Sequence, residues 1–221
     1  MKKLLRGIID FRHRVLPEYR ETFARLALGQ NPDALLIACS DSRVVPNLFA
    51  STDPGDLFVV RNVGNLIAPA EASGLSSADE SEAAALEFSV LGLHVKDIIV
   101  CGHSECGAMQ ALLQGRSDVE PPNLRAWLRH AEPCVSQLEA RQQFAKDHSK
   151  ANRLSQLNVL QQLEHLQSYP LVRERMAQGS LQLHAWWFEL RSAEVQVYDP
   201  RRDAFCVLDD EFAELLLKQA R

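Results

Sequence analysis

Two short apolar runs end abruptly in residues that bind metals. Ala34 to Cys39 (ALLIAC) runs into Cys39-Ser40-Asp41-Ser42-Arg43, and Asp97 to Cys101 (DIIVC) runs into Gly102-His103-Ser104-Glu105-Cys106. An unbroken aliphatic run bounded by turn residues is the pattern of a strand covered on both faces, as in a parallel sheet packed between helices. Leu57 to Arg61 (LFVVR) has the same character, and helical patterns at Ala83 to Leu93 and Gly107 to Gln114 separate the runs. The β, α, β order predicts an α/β fold with a mostly parallel central sheet flanked by helices. Residues 2 to 29 carry Leu4, Leu5, Ile8, Ile9, Phe11 and Val15, then Phe23, Leu26 and Leu28, at helical spacing, which predicts two N-terminal helices broken near Pro17. Residues 122 to 178 read as mostly helical. A late strand pair, Leu181 to Leu190 and Glu194 to Tyr198, is joined by a hairpin turn around Arg191 and Ser192, and a helix follows from Asp209 to Ala220. Ala68 to Glu82 is small, polar and acidic, and reads as a loop. No repeat or linker divides the chain, so residues 1 to 221 are read as a single domain.

Composition narrows the partners. There are 24 basic against 29 acidic residues, a net charge of -5, so no global positive field would hold a phosphate backbone, and nucleic acid is not expected. No apolar run approaches the roughly 20 residues that cross a bilayer, and Arg6, Asp10, Arg12 and Arg14 interrupt the stretch an export signal would need. A cytoplasmic protein without membrane contact is the expectation. Five cysteines are too few and too unevenly spaced for a secreted disulfide framework.

The strand-end residues carry the chemistry. Strands of an open α/β sheet deliver ligands beyond their carboxyl ends, so Cys39, His103 and Cys106 can converge. Two thiolates and an imidazole suit zinc, and three protein ligands leave a fourth position open, as at a catalytic site. Asp41 and Arg43 share one turn with Cys39. A guanidinium clamping that carboxylate would keep it ionised, able to accept a proton from bound water or to coordinate zinc itself. His103-Ser104-Glu105 also satisfies the H-x-E of zinc deaminases, but Pro133-Cys134-Val135-Ser136-Gln137 lacks the second cysteine of that signature. No cysteine pair has the C-x-x-C spacing of a redox dithiol. Cys101 reads as a buried strand residue, and Cys134 and Cys206 as packing or surface thiols.

C-x-D-x-R followed by G-H-x-x-C resembles the β-class carbonic anhydrase family. Gly29-Gln30-Asn31-Pro32, the segment Pro54 to Asn62, Gly64-Asn65 and Leu86-Glu87-Phe88 match as well. The resemblance implies a zinc enzyme that reversibly hydrates carbon dioxide to bicarbonate and a proton. It further implies N-terminal helices exchanged between the subunits of a dimer, with pairing into tetramers. By carry-over, Cys39, His103 and Cys106 hold Zn2+, and Asp41 and Arg43 form a catalytic dyad in which Asp41 is the fourth ligand of a closed state. Gln30 reaches substrate from the neighbouring subunit, Phe58, Val63 and Phe88 line an apolar CO2 pocket, and the backbone at Gly107 seats an anion such as bicarbonate. A CS2 or COS hydrolase and a zinc-bearing noncatalytic homologue are the alternatives on the same scaffold. The chain departs from the family in the acidic stretch Ala78 to Ala83, which stands where flexible residues are usual and would border the pocket. Phe88 replaces a frequent Tyr, and Ala185 a common Gly. Leu36 stands where members regulated by bicarbonate at a second site have Trp, so a non-allosteric enzyme is predicted. No proton shuttle is assigned: His94, His130, His148, His165 and His184 read as solvated or packed.

Overall fold

The computed structural model describes residues 1–142 and 144–219. Six strands form one sheet: β1 (Ala34–Cys39), β2 (Leu57–Asn62), β3 (Asp97–His103), β4 (Gln182–Glu189), β5 (Glu194–Asp199) and β6 (Ala204–Val207), in spatial order β2-β1-β3-β4-β5-β6. The first four are parallel, and β5 and β6 add antiparallel. All six residues of β1 are buried, which is why its sequence shows no alternation. β6 was not expected; three half-buried residues and an exposed Val207 between turns carry too little pattern to stand out, and they pair along the edge that β5 offers. β3 runs two residues past its expected end, so that His103 itself closes the strand.

Before β1 come α1 (Lys2–Asp10) and α2 (Leu16–Leu26), linked by a π-type turn over Phe11–Val15. The expected break near Pro17 is therefore a change of helical register, in which the Leu16 N–H reaches back to Phe11 O. Pro17 falls in the first turn of α2, where its missing N–H costs nothing. The short α3 (Pro46–Phe49) follows β1, and α4 (Glu80–Glu87) precedes β3. The loop read over Ala68 to Glu82 ends at Asp79, which caps α4 by accepting from Ser81 N at 2.7 Å. Its acidic residues are thus a helix start: Glu80 and Glu82 lie in the first turn, where the helix dipole favours negative charge. Beyond β3 lie α5 (Gly107–Gln114), α6 (Pro122–Trp127), α7 (Pro133–Ala140), α8 (Lys150–Ser168) and α9 (Pro170–Ala177), and α10 (Asp210–Gln219) ends the described chain, so Ala220 of the expected last helix lies outside it.

The core is layered on the sheet. On one face Leu35, Ile37, Ile98 and Val100 pack with Val159, Leu166 and Trp187; on the other, Leu36, Ala38, Ile99 and Cys101 pack with Val44 and Phe188. α8 lies directly on β3 because position 102 has no side chain. A Cβ at Gly102 would stand 2.6 Å from Val159 Cγ2 and 3.1 Å from a Trp187 ring carbon. Among the described residues no helix is long and apolar enough to cross a membrane.

Candidate metal centre

The strand order turns about β1, whose neighbours β2 and β3 follow it in sequence on opposite sides, and crevices at such points receive ligands beyond the strands' carboxyl ends. Cys39 ends β1, His103 ends β3, and Cys106 stands immediately before α5. Their ligating atoms lie within 4.8 Å of one another, and all three residues are buried. His103 Nδ1 donates to Ser104 O at 2.8 Å, which leaves Nε2 with a lone pair. That Nε2 is buried and has no hydrogen-bond partner in the protein. An orphaned imine nitrogen beside two buried sulfurs is the donor set of a zinc site, and the residues present fit that ion.

Backbone and charge prepare the sulfurs. Cys39 is made the more acidic thiol by Cys106, which donates to it; burial opposes this, and the backbone N–H groups of Gly64 and Asp41 assist. The Gly64 N–H stands 3.4 Å from Cys39 Sγ. Cys106, as the donor of the pair and buried, is pushed up, while N–H groups of Met109 and Ala108 in the first turn of α5 favour its thiolate.

Asp41 carries three hydrogen bonds from Arg43: Nε to Oδ1 at 2.9 Å, Nη2 to Oδ2 at 2.7 Å, and the backbone N–H to Oδ1 at 3.0 Å. Arg43 therefore holds that carboxyl well below the usual range, against the opposing effect of burial. Oδ2 also lies 4.0 Å from His103 Nε2, so an ionised carboxylate edge sits beside the metal position. Arg43 Nη2 donates in addition to Glu105 O at 3.1 Å, tying the turn after β1 to the turn after β3.

The structure gathers some of the expected site residues and separates others. Gly107 opens α5 next to Cys106, and a Cβ there would meet nothing within 4 Å, so its backbone is open to a ligand. Val63 adjoins Gly64 and its side chain is exposed. Phe58 pairs in register with Leu35, four strand positions before Cys39, or about 13 Å at roughly 3.3 Å per residue. Its ring lies 5.8 Å from that of Phe88, half exposed, and these two form a group of their own. Gln30 lines a crevice with Leu26 and Asp53 to Asp56, again apart from the cysteines. Cys101 lies outside the three-ligand group, and burial pushes its thiol, like that of Cys134, up to about 12.

Five supporting residues were not picked out from the sequence. Arg61 donates to Cys39 O at 3.0 and 2.9 Å and to Asp41 O at 2.7 Å, clamping the backbone between ligand and dyad. From α8, Asn152 Oδ1 accepts from Glu105 N, Ser155 Oγ donates to His103 O, and Asn158 Nδ2 donates to Gly64 O. Trp127 Nε1 donates to Val63 O at 2.8 Å. The signal for three of them is present: Asn152, Ser155 and Asn158 recur every three residues along a buried helix face, where apolar residues would be ordinary.

An α/β protein with a buried Cys2His centre at the switch point of its sheet, and an aspartate–arginine pair beside it, is thereby defined. The family model described as carbonic anhydrase matches residues 34–195, and the chain belongs to that family, in its β class. A carbonic anhydrase of Synechococcus elongatus is 39% identical over 196 residues, covering 88% of this chain and 70% of the relative. One from Pseudomonas aeruginosa is 36% identical over 199 residues, covering 90% and 88%. The solved β-carbonic anhydrase CcaA superposes with a TM-score of 0.84 at 37% identity, covering 94% of this chain and 98% of that one. A tetrameric β-carbonic anhydrase from Sordaria macrospora gives 0.78 at 27% identity, covering 94% and 98%.

Proposed function

We propose that this protein reversibly hydrates carbon dioxide to bicarbonate and a proton, with zinc held by Cys39, His103 and Cys106. The observation that carries the reading is the convergence of those three ligand atoms beside an Asp41 already ion-paired to Arg43. Zinc, when bound, supplies a Lewis acid that lowers the pKa of a coordinated water from about 15.7 to roughly 7. Asp41, kept ionised by Arg43, accepts a hydrogen bond from the attacking oxygen through Oδ2, so that the free lone pair of that oxygen faces the carbon of CO2. With both carboxylate oxygens engaged by Arg43, Asp41 is oriented as an acceptor rather than as a fourth ligand, which supports a catalytic reading over that of a noncatalytic homologue. The N–H groups at the start of α5, from Gly107 onward, attract the developing bicarbonate.

CO2 is apolar and is gathered by apolar walls. Val63 supplies one from the same chain. Phe58 on β2, Phe88 just beyond α4 and Gln30 just beyond α2 lie apart from the cysteines of their own chain, so in this reading a second copy presents them across a dimer interface, in which the exposed N-terminal helix takes part. Two such dimers pairing into a tetramer are consistent with this arrangement, and the Sordaria relative is tetrameric. Five unpaired cysteines fit a reducing, cytoplasmic setting.

Zinc content together with stopped-flow CO2 hydration across about pH 6.5 to 9 tests the reading. The wild-type protein is expected to hold one zinc per chain and to accelerate hydration, and Asp41→Asn to keep the metal while losing most of the rate. A zinc-replete wild type that hydrates CO2 no faster than buffer would overturn it.

A further inference from the structure

Cys39 Sγ receives a hydrogen bond from the Gly64 N–H at 3.4 Å, and that N–H is held in place from two sides. It belongs to the Val63–Gly64 peptide, whose other polar end, Val63 O, accepts from Trp127 Nε1 at 2.8 Å. The N–H and C=O of one trans peptide point in opposite directions, so a donor fixed on Val63 O sets where the Gly64 N–H points. The next peptide is fixed as well: Gly64 O accepts from Asn158 Nδ2 at 3.0 Å, and Asn158 Oδ1 accepts from Gln162 Nε2 at 2.9 Å. Gln162 in turn accepts from Ile67 N at 2.8 Å, so buried amides of α8 hold both ends of the segment from Gly64 to Ile67. Gly64 itself has φ +84, and a Cβ there would lie 3.1 Å from Ala108 Cβ; the segment is locked in a conformation that a side chain would oppose.

We infer that Trp127 and Asn158 are positioning residues for the metal centre: by fixing the two peptides that flank Gly64, they aim its N–H at the Cys39 sulfur and so set how much charge that thiolate gives the metal. The inference rests on the reading of Cys39 as a metal ligand. A hydrogen bond to a ligating sulfur withdraws electron density from it. Loss of the indole N–H lets the peptide turn and frees that density, which raises the energy of the sulfur lone pair. Neither side chain ligates the metal, so the effect reaches it only through the Gly64 amide.

Trp127→Phe keeps an aromatic ring and removes the donor; Asn158→Leu keeps the approximate size and removes both polar atoms. The probe is Co2+ in place of zinc, read by the sulfur-to-cobalt charge-transfer band, with zinc affinity measured by chelator competition on the same proteins. Both variants are expected to bind one cobalt per chain and to move the band to longer wavelength; zinc binding is expected to weaken by about 10-fold, the lower end of the effect of outer-shell changes, because the released peptide no longer orients Cys39 toward the metal. A band at the wild-type wavelength with unchanged zinc affinity in both folded variants overturns the inference and leaves Trp127 and Asn158 as packing residues. If one variant does not fold, the other decides, because each acts on a different peptide. Should wild-type protein give no such band while holding cobalt, or should Cys39→Ser leave the band as in wild type, the assignment of Cys39 as a ligand fails instead.

Discussion

The Asp41 carboxylate takes its three hydrogen bonds from one residue, so the arginine, not the turn alone, fixes it. Arg43→Lys keeps the positive charge but replaces a planar two-point fork with a single point donor. Hydration is expected to fall about 10- to 100-fold, the equivalent of one charged hydrogen bond, with zinc content unchanged. Parallel zinc analysis and stopped-flow assay check this, and an undiminished rate would show that charge alone suffices. His130 offers a second test. It is buried, and burial, with Arg129 and His165 adding to the effect, holds its pKa near 4 against the usual 6.5. The folded state binds the proton less readily than the unfolded one, so the stability from a neutral His130 is full above about pH 6.5 and is lost as pH falls toward 4. Over that interval one such group steepens the loss by at most about 1.4 kcal/mol per pH unit. His130→Phe is expected to flatten the dependence of the urea midpoint on pH between those values; an equally steep curve places the acid sensitivity elsewhere. At this scale the chemistry was legible, because metal ligands and their dyad are residue types with fixed spacings. Arg61 and Trp127 were not, since each acts through the backbone of a neighbour distant in sequence.

α8 is the element on which the site rests. Its polar face holds the turn after β3 through Asn152 and Ser155, and the turn after β2 through Asn158 and Gln162. Its approach to β3 depends on Gly102. Gly102→Ala inserts a methyl group into Val159 and the Trp187 ring and is expected to destabilise the fold by about 1–3 kcal/mol. Chemical denaturation reads that loss directly, and a variant as stable as wild type would show that α8 can retreat without penalty. Because the retreat would carry Ser155 away from His103 O, zinc affinity is expected to fall in the same variant. The positions of the buried strands were evident from unbroken apolar runs, whereas β6 and the π-type turn were not. β6 exists only as a partner of β5. The turn at Phe11–Val15 changes register within a pattern that stays helical on both sides.

For the whole molecule, the most telling feature is what α1 leaves uncovered. Leu4, Leu5, Ile8 and Ile9 are all more than half exposed, and Phe11 continues the stripe. An amphipathic helix is held by burial of its apolar face far more than by intrinsic propensity. If the proposed dimer covers this stripe, Leu5→Glu with Ile9→Glu gives monomers where wild type gives dimers or larger, seen by light scattering after size-exclusion chromatography. Hydration is expected to fall with it, because in the proposed dimer Gln30, Phe58 and Phe88 serve the site of the partner. Monomeric wild-type protein at working concentration would remove the basis for a shared site. By itself the sequence determined the α/β class and pointed to the Cys39, His103 and Cys106 group and the Asp41–Arg43 pair that the fold brings together, because apolar periodicity and donor chemistry are local and survive in one dimension. Only the tertiary structure decided which strands are neighbours, that α8 carries the support of the site, and that Phe58 and Phe88 stand away from their own cysteines. Those are matters of distance between segments far apart in the chain, and distance is set by packing and register, not by any single stretch of residues.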